Sequence, residues 1–134
     1  MLKIKFDRLD YQELAVNSIS DVFKNIAFKT NDNKKSNPSF DLQASKSILV
    51  NNITKVREIN KVDIGDISIK DELVIDTLME TGTGKTFTFL ESIYRLNRDY
   101  GLCKFIILVP SNPIRQGTIK NINITKEFFT KEYG

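Results

Sequence analysis

The sequence predicts an α/β fold with a parallel sheet, preceded by an N-terminal amphipathic helix. Two apolar runs, LVIDTLM and FIILV, have the length and composition of buried strands, and each precedes a helical pattern. Strands that alternate with helices form parallel sheets, because the helix returns the chain to the same end of the sheet. A chain of 134 residues, 40% hydrophobic and 28% charged, is long enough for one such domain.

Composition excludes several kinds of chemistry. The chain has no histidine and one cysteine, Cys103, which rules out histidine-based catalysis and an internal disulfide and makes a zinc site unexpected. A single cysteine suits the reducing cytosol, so we expect a cytoplasmic protein. No apolar run approaches the roughly 20 residues of a membrane span, and the N-terminal stretch, which contains acidic residues and no apolar core, is unlike a signal peptide. The net charge of +3 is a slight indication of a polyanionic partner.

The first region, residues 1–28, contains a helical pattern from Asp10 to Phe28. Its apolar residues recur at intervals of three and four, as on one face of a helix. They are Tyr11, Leu14, Ala15, Ile19, Val22, Phe23 and Ile26. Asp10 is placed to cap this helix, and Glu13 follows at the spacing of a capping box.

The second region, residues 29–70, has no clear period. Residues 29–46 are rich in Asn, Ser and Lys, which predicts an exposed loop. Short apolar runs follow, and Val62, Ile64, Ile67 and Ile69 partly alternate with polar residues around Gly65. We interpret this alternation as an edge hairpin.

The third region, residues 71–134, has the order strand, helix, strand, helix. A strand from Leu73 to Met79 leads into glycines and then a helix from Lys85 to Tyr100, with Gly101 at its C-terminal cap. Its predicted buried face consists of Phe89, Ile93, Leu96 and Tyr100, and Glu91 and Arg95 form an i,i+4 pair on the outside. The second strand spans Phe105 to Val109, and Ser111 caps a final helix that reaches Tyr133.

The stretch METGTGKT indicates a phosphate-binding loop. Glycines allow the tight bend that turns successive backbone N–H groups toward one anion, and a helix that starts at once adds its positive end. Lys85 would then reach the β- and γ-phosphates, and the Thr86 hydroxyl would bind Mg²⁺. Met79 stands where the full pattern has glycine. The alternative is an ordinary strand–turn–helix corner with a solvated lysine, and the context favours nucleotide binding.

Three blocks of sequence carry a family resemblance. They are RLDYQELAVNSISDVF, METGTGKTFTFLESIYRLNRDYG and KFIILVPSNPIRQGTIKNINITKEFF, and together they cover more than half of the chain. METGTGKT resembles motif I of superfamily 2 helicases and translocases. The ordered blocks resemble the Res (nuclease-motor) subunit of type III restriction enzymes. The resemblance implies a partial RecA-like domain, with ATP and Mg²⁺ as cofactors.

The resemblance also implies roles for the residues that match. Gln12 would read the adenine edge, since its amide both donates and accepts; the alternative is an exposed helix residue. The other nucleotide-binding residues would be Thr81, Gly82, Thr83, Gly84, Lys85 and Thr86, with Thr86 at the metal. Pro110, Ser111 and Arg115 match motif Ia, which implies nucleic-acid backbone contacts; the alternative is a capped helix with a surface arginine. DNA and a modification (methyltransferase) subunit would be the partners of the full-length protein.

The motifs required for hydrolysis are not found after Thr86. Asp71 and Glu72 look like a metal-holding acidic pair but precede the loop, so we reject them, and no catalytic residue is assigned. An arginine finger and a nuclease domain are also missing, so whether the chain is itself an enzyme stays open. We expect an N-terminal fragment that binds ATP with negligible turnover. Two alternatives remain: a non-enzymatic nucleotide- or nucleic-acid-binding module that pairs with another chain, and a decayed product.

Overall fold

The computed structural model describes residues 5–30 and 35–134, and its regular structure within these ranges is helical. The helices are α1 (Asp10–Asp21), α2 (Leu42–Ile59), α3 (Lys85–Tyr100) and α4 (Asn112–Tyr133). β-Pairing in the described residues is confined to an isolated antiparallel bridge between Lys29 and Ser39. Within those ranges we find no helix with the length and hydrophobicity required to span a bilayer.

Helix α3 is central to the arrangement, since α1 and α4 both pack against it while α2 packs against α1. Near the start of α3, Phe87 contacts Phe129 of α4, with ring centroids 4.9 Å apart. Further along α3, the Arg98 guanidinium lies 5.1 Å from the centroid of the Tyr133 ring. Because both helices advance in the same order along this contact, α3 and α4 run in the same direction.

The core between α1 and α2 has an aliphatic centre. Val22 and Ile26, which follow α1, are buried with Leu49 of α2. Asn52 of α2 is also buried, and its Nδ2 donates to the carbonyls of Val22 (3.0 Å) and Lys24 (2.7 Å). Because buried carbonyls are costly to leave unpaired, Asn52 stabilises the turn that ends α1.

The prediction of an α/β fold with a parallel sheet is wrong for the described residues. The segments predicted as strands, Leu73–Met79 and Phe105–Val109, are not paired with any neighbour. Leu78 is 96% exposed, and Ile106 and Leu108 are each 89% exposed. An apolar run becomes a strand only where a second segment supplies its ladder hydrogen bonds, and none of the described segments does so. The RecA-like sheet is therefore absent from the described structure, and the hairpin predicted around Gly65 is absent as well.

The segment that was predicted as the first strand instead borders a groove. Residues 74–80 line one side of a cavity of about 980 Å³, and α1, the end of α2 and residues 62–68 line the other sides. Thr83 lies at the edge of this groove, which therefore adjoins the glycine-containing turn before α3.

The second region contains a helix that the sequence analysis missed. α2 begins at Leu42, inside the predicted loop, and Asp41 caps it by accepting a hydrogen bond from the Ala44 N–H at 3.0 Å. Leu49, Ile53 and Val56 of this helix all belong to the core. Their spacing is helical, but Asn and Ser residues interrupt it, so the sequence pattern indicates only short apolar runs.

The remaining helix predictions are largely confirmed. α3 has the predicted bounds, and Gly101 ends it in the left-handed region with φ +73°. The prediction of its buried face is wrong, however: the predicted residues Phe89, Ile93, Leu96 and Tyr100 are only half-buried, and the buried residues are Thr88, Leu90, Glu91 and Ser92. Ser111 caps α4 as predicted. α1 is shorter than predicted, because it ends at Asp21 and is followed by turns that include Asn25 at φ +64°. Its N-cap is Leu9 rather than Asp10.

Candidate functional site

The turn before α3 has the backbone of a tight glycine loop. Gly82 has φ +77° and Gly84 has φ +80°, and both values lie in the left-handed region that favours glycine. Between them, the Thr83 hydroxyl donates to the Glu80 carbonyl at 2.5 Å. Gly84 is the N-cap of α3, and its carbonyl accepts the first helical hydrogen bond, from the Thr88 N–H at 3.0 Å.

The first turn of α3 has no side-chain cap. The opening N–H groups of a helix have no partner within the helix, so an uncapped start presents donors at the positive end of the dipole. This arrangement suits an anion such as phosphate. Lys85, the first residue of α3, is exposed, and Thr86 is half-buried beside it.

Gln12 of α1 lies against this loop. Its Nε2 donates to the Thr83 carbonyl at 3.0 Å, and its Oε1 accepts from the Leu9 N–H at 3.2 Å. The side chain is 7% exposed, so Gln12 is a buried interface residue rather than a solvated one. An amide has two N–H donors and two acceptor lone pairs. One N–H donor and one acceptor lone pair of Gln12 therefore remain for a further partner.

Gly84 also leaves no space for a side chain. A Cβ added at Gly84 would lie 2.4 Å from Gln12 Nε2, whereas a Cβ at Gly82 would meet nothing within 4 Å. The Gln12 amide therefore packs directly on the Gly84 backbone, and a side chain at this position would require the amide to move as well as straining the backbone.

A buried ion pair lies behind the loop, and the sequence analysis did not find it. Glu91 of α3 is fully buried, and Arg8 Nη2 lies 2.5 Å from its Oε1. The Tyr133 hydroxyl of α4 donates to the same oxygen at 2.6 Å. The predicted pairing of Glu91 with Arg95 on the outside of α3 is wrong, since Arg95 donates to Asn17 of α1 instead.

The contacts with Glu91 change the pKa values of Arg8 and Tyr133. Burial opposes the charge on Arg8, but the contact with Glu91 outweighs it and raises the pKa of the guanidinium above its ordinary value. Burial, together with the hydrogen bond to Glu91, raises the pKa of the Tyr133 phenol. Both shifts favour the protonated forms, a charged Arg8 and a neutral Tyr133.

Ser111 and Arg115, predicted to contact nucleic acid with Pro110, lie at the start of α4. The Ser111 hydroxyl accepts the Ile114 N–H at 3.5 Å, a long capping bond, and Pro110 and Arg115 are exposed. Within residues 5–30 and 35–134, Gln12 is hydrogen-bonded to the glycine loop, whereas Ser111 and Arg115 make no hydrogen bond or ion pair with it. Since α4 contacts the start of α3 through residues 128 and 129, its own start lies about 24 Å further back along the helix axis.

The loop offers a hydroxyl rather than a ready metal site. Residues 5–30 and 35–134 contain no group of three or more His, Cys, Asp or Glu side chains that could hold a metal ion. Thr86, at the second position of α3, has the oxygen that Mg²⁺ prefers and follows the lysine directly.

These features place the chain among proteins with a candidate phosphate-binding loop. A glycine loop with two left-handed positions, followed by an uncapped helix that begins Lys-Thr, is typical of such loops. The family model described as "Type III restriction enzyme, res subunit" matches residues 5–133. The chain belongs to this family, which confirms the resemblance indicated by its motifs.

Individual relatives agree with this assignment. The chain is 34% identical over 136 residues to the EcoPI Res subunit of Escherichia phage P1, with 93% of this chain and 13% of the relative covered. It is 34% identical over 132 residues to the EcoP15I Res subunit of Escherichia coli, with the same coverage. The StyLTI Res subunit of Salmonella typhimurium is 40% identical over 63 residues, which cover 47% of this chain and 6% of the relative. The chain thus spans 13% of the length of the first two relatives.

The contact between Gly84 and Gln12 can be tested with alanine at each loop glycine. We expect Gly82→Ala to lower the free energy of unfolding by about 1–2 kcal/mol through backbone strain alone. Gly84→Ala should cost about 1–2 kcal/mol more, because the Gln12 amide must move and lose its bond to Thr83. Urea denaturation followed by circular dichroism measures both changes.

The Gln12→Ala background provides the control. There the extra cost of Gly84→Ala over Gly82→Ala should largely disappear, since alanine leaves room for the new methyl group. An equal extra cost in both backgrounds would show that the close approach of Gln12 does not constrain Gly84.

Proposed function

We propose that this chain is the ATP-binding portion of a DNA-translocating type III restriction motor. The observation that carries the proposal is the uncapped start of α3 behind two left-handed glycines, with Gln12 packed on the loop. Family membership supports a restriction-enzyme motor over other phosphate-binding proteins.

In this proposal the triphosphate binds at the loop. The N–H groups of the first turn of α3 receive the β-phosphate, since they have no capping side chain to bond. Lys85 is exposed at the start of the helix, and its flexible stem lets the ammonium reach the β- and γ-phosphates. The Thr86 hydroxyl would hold Mg²⁺ bound with the nucleotide, and the ion would neutralise phosphate charge.

Gln12 supports ATP as the nucleotide. Its amide already bonds Leu9 and Thr83, and the remaining N–H and lone pair would match the adjacent acceptor and donor of the adenine edge. Guanine has a carbonyl where adenine has its amino group, so it does not offer the same pair of one donor and one acceptor. We therefore propose that Gln12 both contacts the loop and selects adenine.

We propose further that turnover belongs to a larger assembly. The relatives are named as Res subunits of type III restriction-modification enzymes, and the aligned part is 13% of the length of two of them. A modification (methyltransferase) subunit and DNA would be the partners of the whole protein, with the start of α4 as a DNA contact through Pro110, Ser111 and Arg115.

Lys85→Ala tests the nucleotide site. Titration calorimetry with a non-hydrolysable ATP analogue and Mg²⁺ should show binding to the wild-type chain and a dissociation constant at least about tenfold larger for Lys85→Ala, because a charge-assisted contact is lost. Lys55→Ala, at an exposed position of α2, is the control and should bind like the wild type. Equal affinities of all three proteins, or no binding to the wild type, would refute the site.

The dependence of turnover on a larger assembly is tested separately, by measuring ATP hydrolysis by this chain alone. A rate comparable to that of a complete motor would refute that dependence.

Base selection by Gln12 predicts a change in the ratio of ATP to GTP affinity. In Gln12→Ala the preference for the ATP analogue over the GTP analogue should fall about tenfold, since a bond to adenine is lost while the loop contact is lost equally for both nucleotides. Gln43→Ala on α2 should leave the ratio unchanged. If Gln12→Ala weakens both nucleotides by the same factor, Gln12 acts on the loop and does not read the base.

The proposed DNA contact predicts a difference between the two ends of α4. Arg115→Gln should weaken binding of a DNA duplex, measured by fluorescence anisotropy, and should reduce the slope of log affinity against log salt by about one. Lys131→Gln removes an exposed charge near the other end of α4 and should have little effect on either quantity. Equal losses for the two variants would indicate unspecific attraction of charge.

A further inference from the structure

Residues 8–12, which lead into α1 and form its first turn, contact two points of one continuous unit formed by the glycine loop and α3. Gln12 bonds the Thr83 carbonyl of the loop at 3.0 Å, and Arg8 lies 2.5 Å from Glu91 of α3. The two contacts are connected through Leu9, which follows Arg8 directly and donates its N–H to Gln12 Oε1 at 3.2 Å.

The contact point of Arg8 is well fixed. Glu91 is fully buried in the second turn of α3, about 9 Å along the axis from Lys85. The Tyr133 hydroxyl holds the same carboxylate oxygen from α4. Phe6, two residues before Arg8, stacks on Phe87 of α3 with ring centroids 5.7 Å apart. The chain before Leu9 is therefore held to α3 by both a charge contact and an aromatic contact.

We propose that Arg8 is a positioning residue of the phosphate loop: its contact with Glu91 fixes Leu9, and Leu9 orients the Gln12 amide toward the Thr83 carbonyl. The inference rests on the proposed function in one respect, namely that the loop binds a nucleotide. Without this connection, the flexible Gln12 side chain has only its contact with the loop to orient it. A loop that is ordered before the nucleotide arrives binds more tightly, because less conformational entropy is lost on binding.

A double-mutant cycle tests whether Arg8 acts through Gln12. The dissociation constant of a non-hydrolysable ATP analogue with Mg²⁺ is measured for the wild type, Arg8→Gln, Gln12→Ala and the double variant. We expect Arg8→Gln alone to weaken binding about three- to tenfold. The double variant should bind no more weakly than Gln12→Ala, since the same path is already broken. Losses that multiply in the double variant would overturn the proposal.

A second measurement needs no nucleotide. In the wild type, the Gln12 side-chain amide and the Leu9 N–H should give protected, individually shifted nuclear magnetic resonance signals, because both are bonded and Gln12 is buried. In Arg8→Gln both signals should move toward free values and exchange faster. If they stay unchanged while only the melting temperature falls, Arg8 has a purely structural role and the proposal is wrong.

The matched control is Arg98→Gln. Arg98 lies over the Tyr133 ring, at 5.1 Å, but it pairs with Asp99 and not with Glu91. This variant should leave the Leu9 and Gln12 signals and the affinity unchanged, and a change equal to that of Arg8→Gln would overturn the proposal.

Two further outcomes are distinguishable. If the wild type binds no nucleotide, the proposed function fails, while the Leu9 and Gln12 signals still decide whether Arg8 positions the loop. If circular dichroism shows that Arg8→Gln is unfolded, the cycle and the spectra are repeated with Arg8→Lys, which keeps the charge beside Glu91 but not the planar guanidinium. Losses in that variant that multiply with those of Gln12→Ala overturn the proposal as well.

Discussion

The hydrogen bond from the Gln12 amide to the Thr83 carbonyl joins positions 71 residues apart in the chain, and the candidate site depends on it. It is one of a series of polar contacts along α1 and α3. Arg95 donates to Asn17 at 3.0 Å, Ser20 donates to Asp99 at 2.8 Å, and the Tyr100 hydroxyl donates to the Ser20 carbonyl at 2.6 Å. Because buried polar groups must meet their partners, these contacts fix one register between the helices. That register brings Gln12 to the loop.

The same bond affects the electrostatics of the loop, because it occupies one of the loop's carbonyl acceptors. The Thr83 carbonyl accepts from Gln12, the Glu80 carbonyl accepts from the Thr83 hydroxyl, and the Gly84 carbonyl accepts from the Thr88 N–H. Several acceptors are thus used within the protein, whereas the first N–H groups of α3 have no side-chain cap. Donors rather than acceptors are left to face a ligand, so the local electrostatics favour an anion.

The sequence predicted the local parts of the fold better than the non-local parts. The bounds of α3 and the Ser111 cap of α4 follow from signals within a few residues, and the structure confirms them. The strands at Leu73–Met79 and Phe105–Val109 were inferred from apolar runs alone. A strand depends on a neighbouring segment for half of its hydrogen bonds, and the run itself contains no information about whether that neighbour is present. α2 was missed for the opposite reason, since Asn52 is a buried polar anchor that a hydrophobic pattern treats as an interruption.

The candidate site likewise has parts that the local sequence predicts and parts that depend on distant residues. The glycines and Lys85 can be predicted locally because loop geometry restricts residue type, but assigning Gln12 to the nucleotide site required a family resemblance, and its contact with the loop was not predicted. Arg8 and Glu91 could not be found in either way. Spacing on α3 makes Arg95 an equally suitable partner for Glu91, and an exposed pair of that kind contributes little to stability. Burial decides the matter, because a carboxylate without access to solvent needs a nearby cation, and in the described structure Arg8 is the cation that the packing of α1, α3 and α4 brings to it.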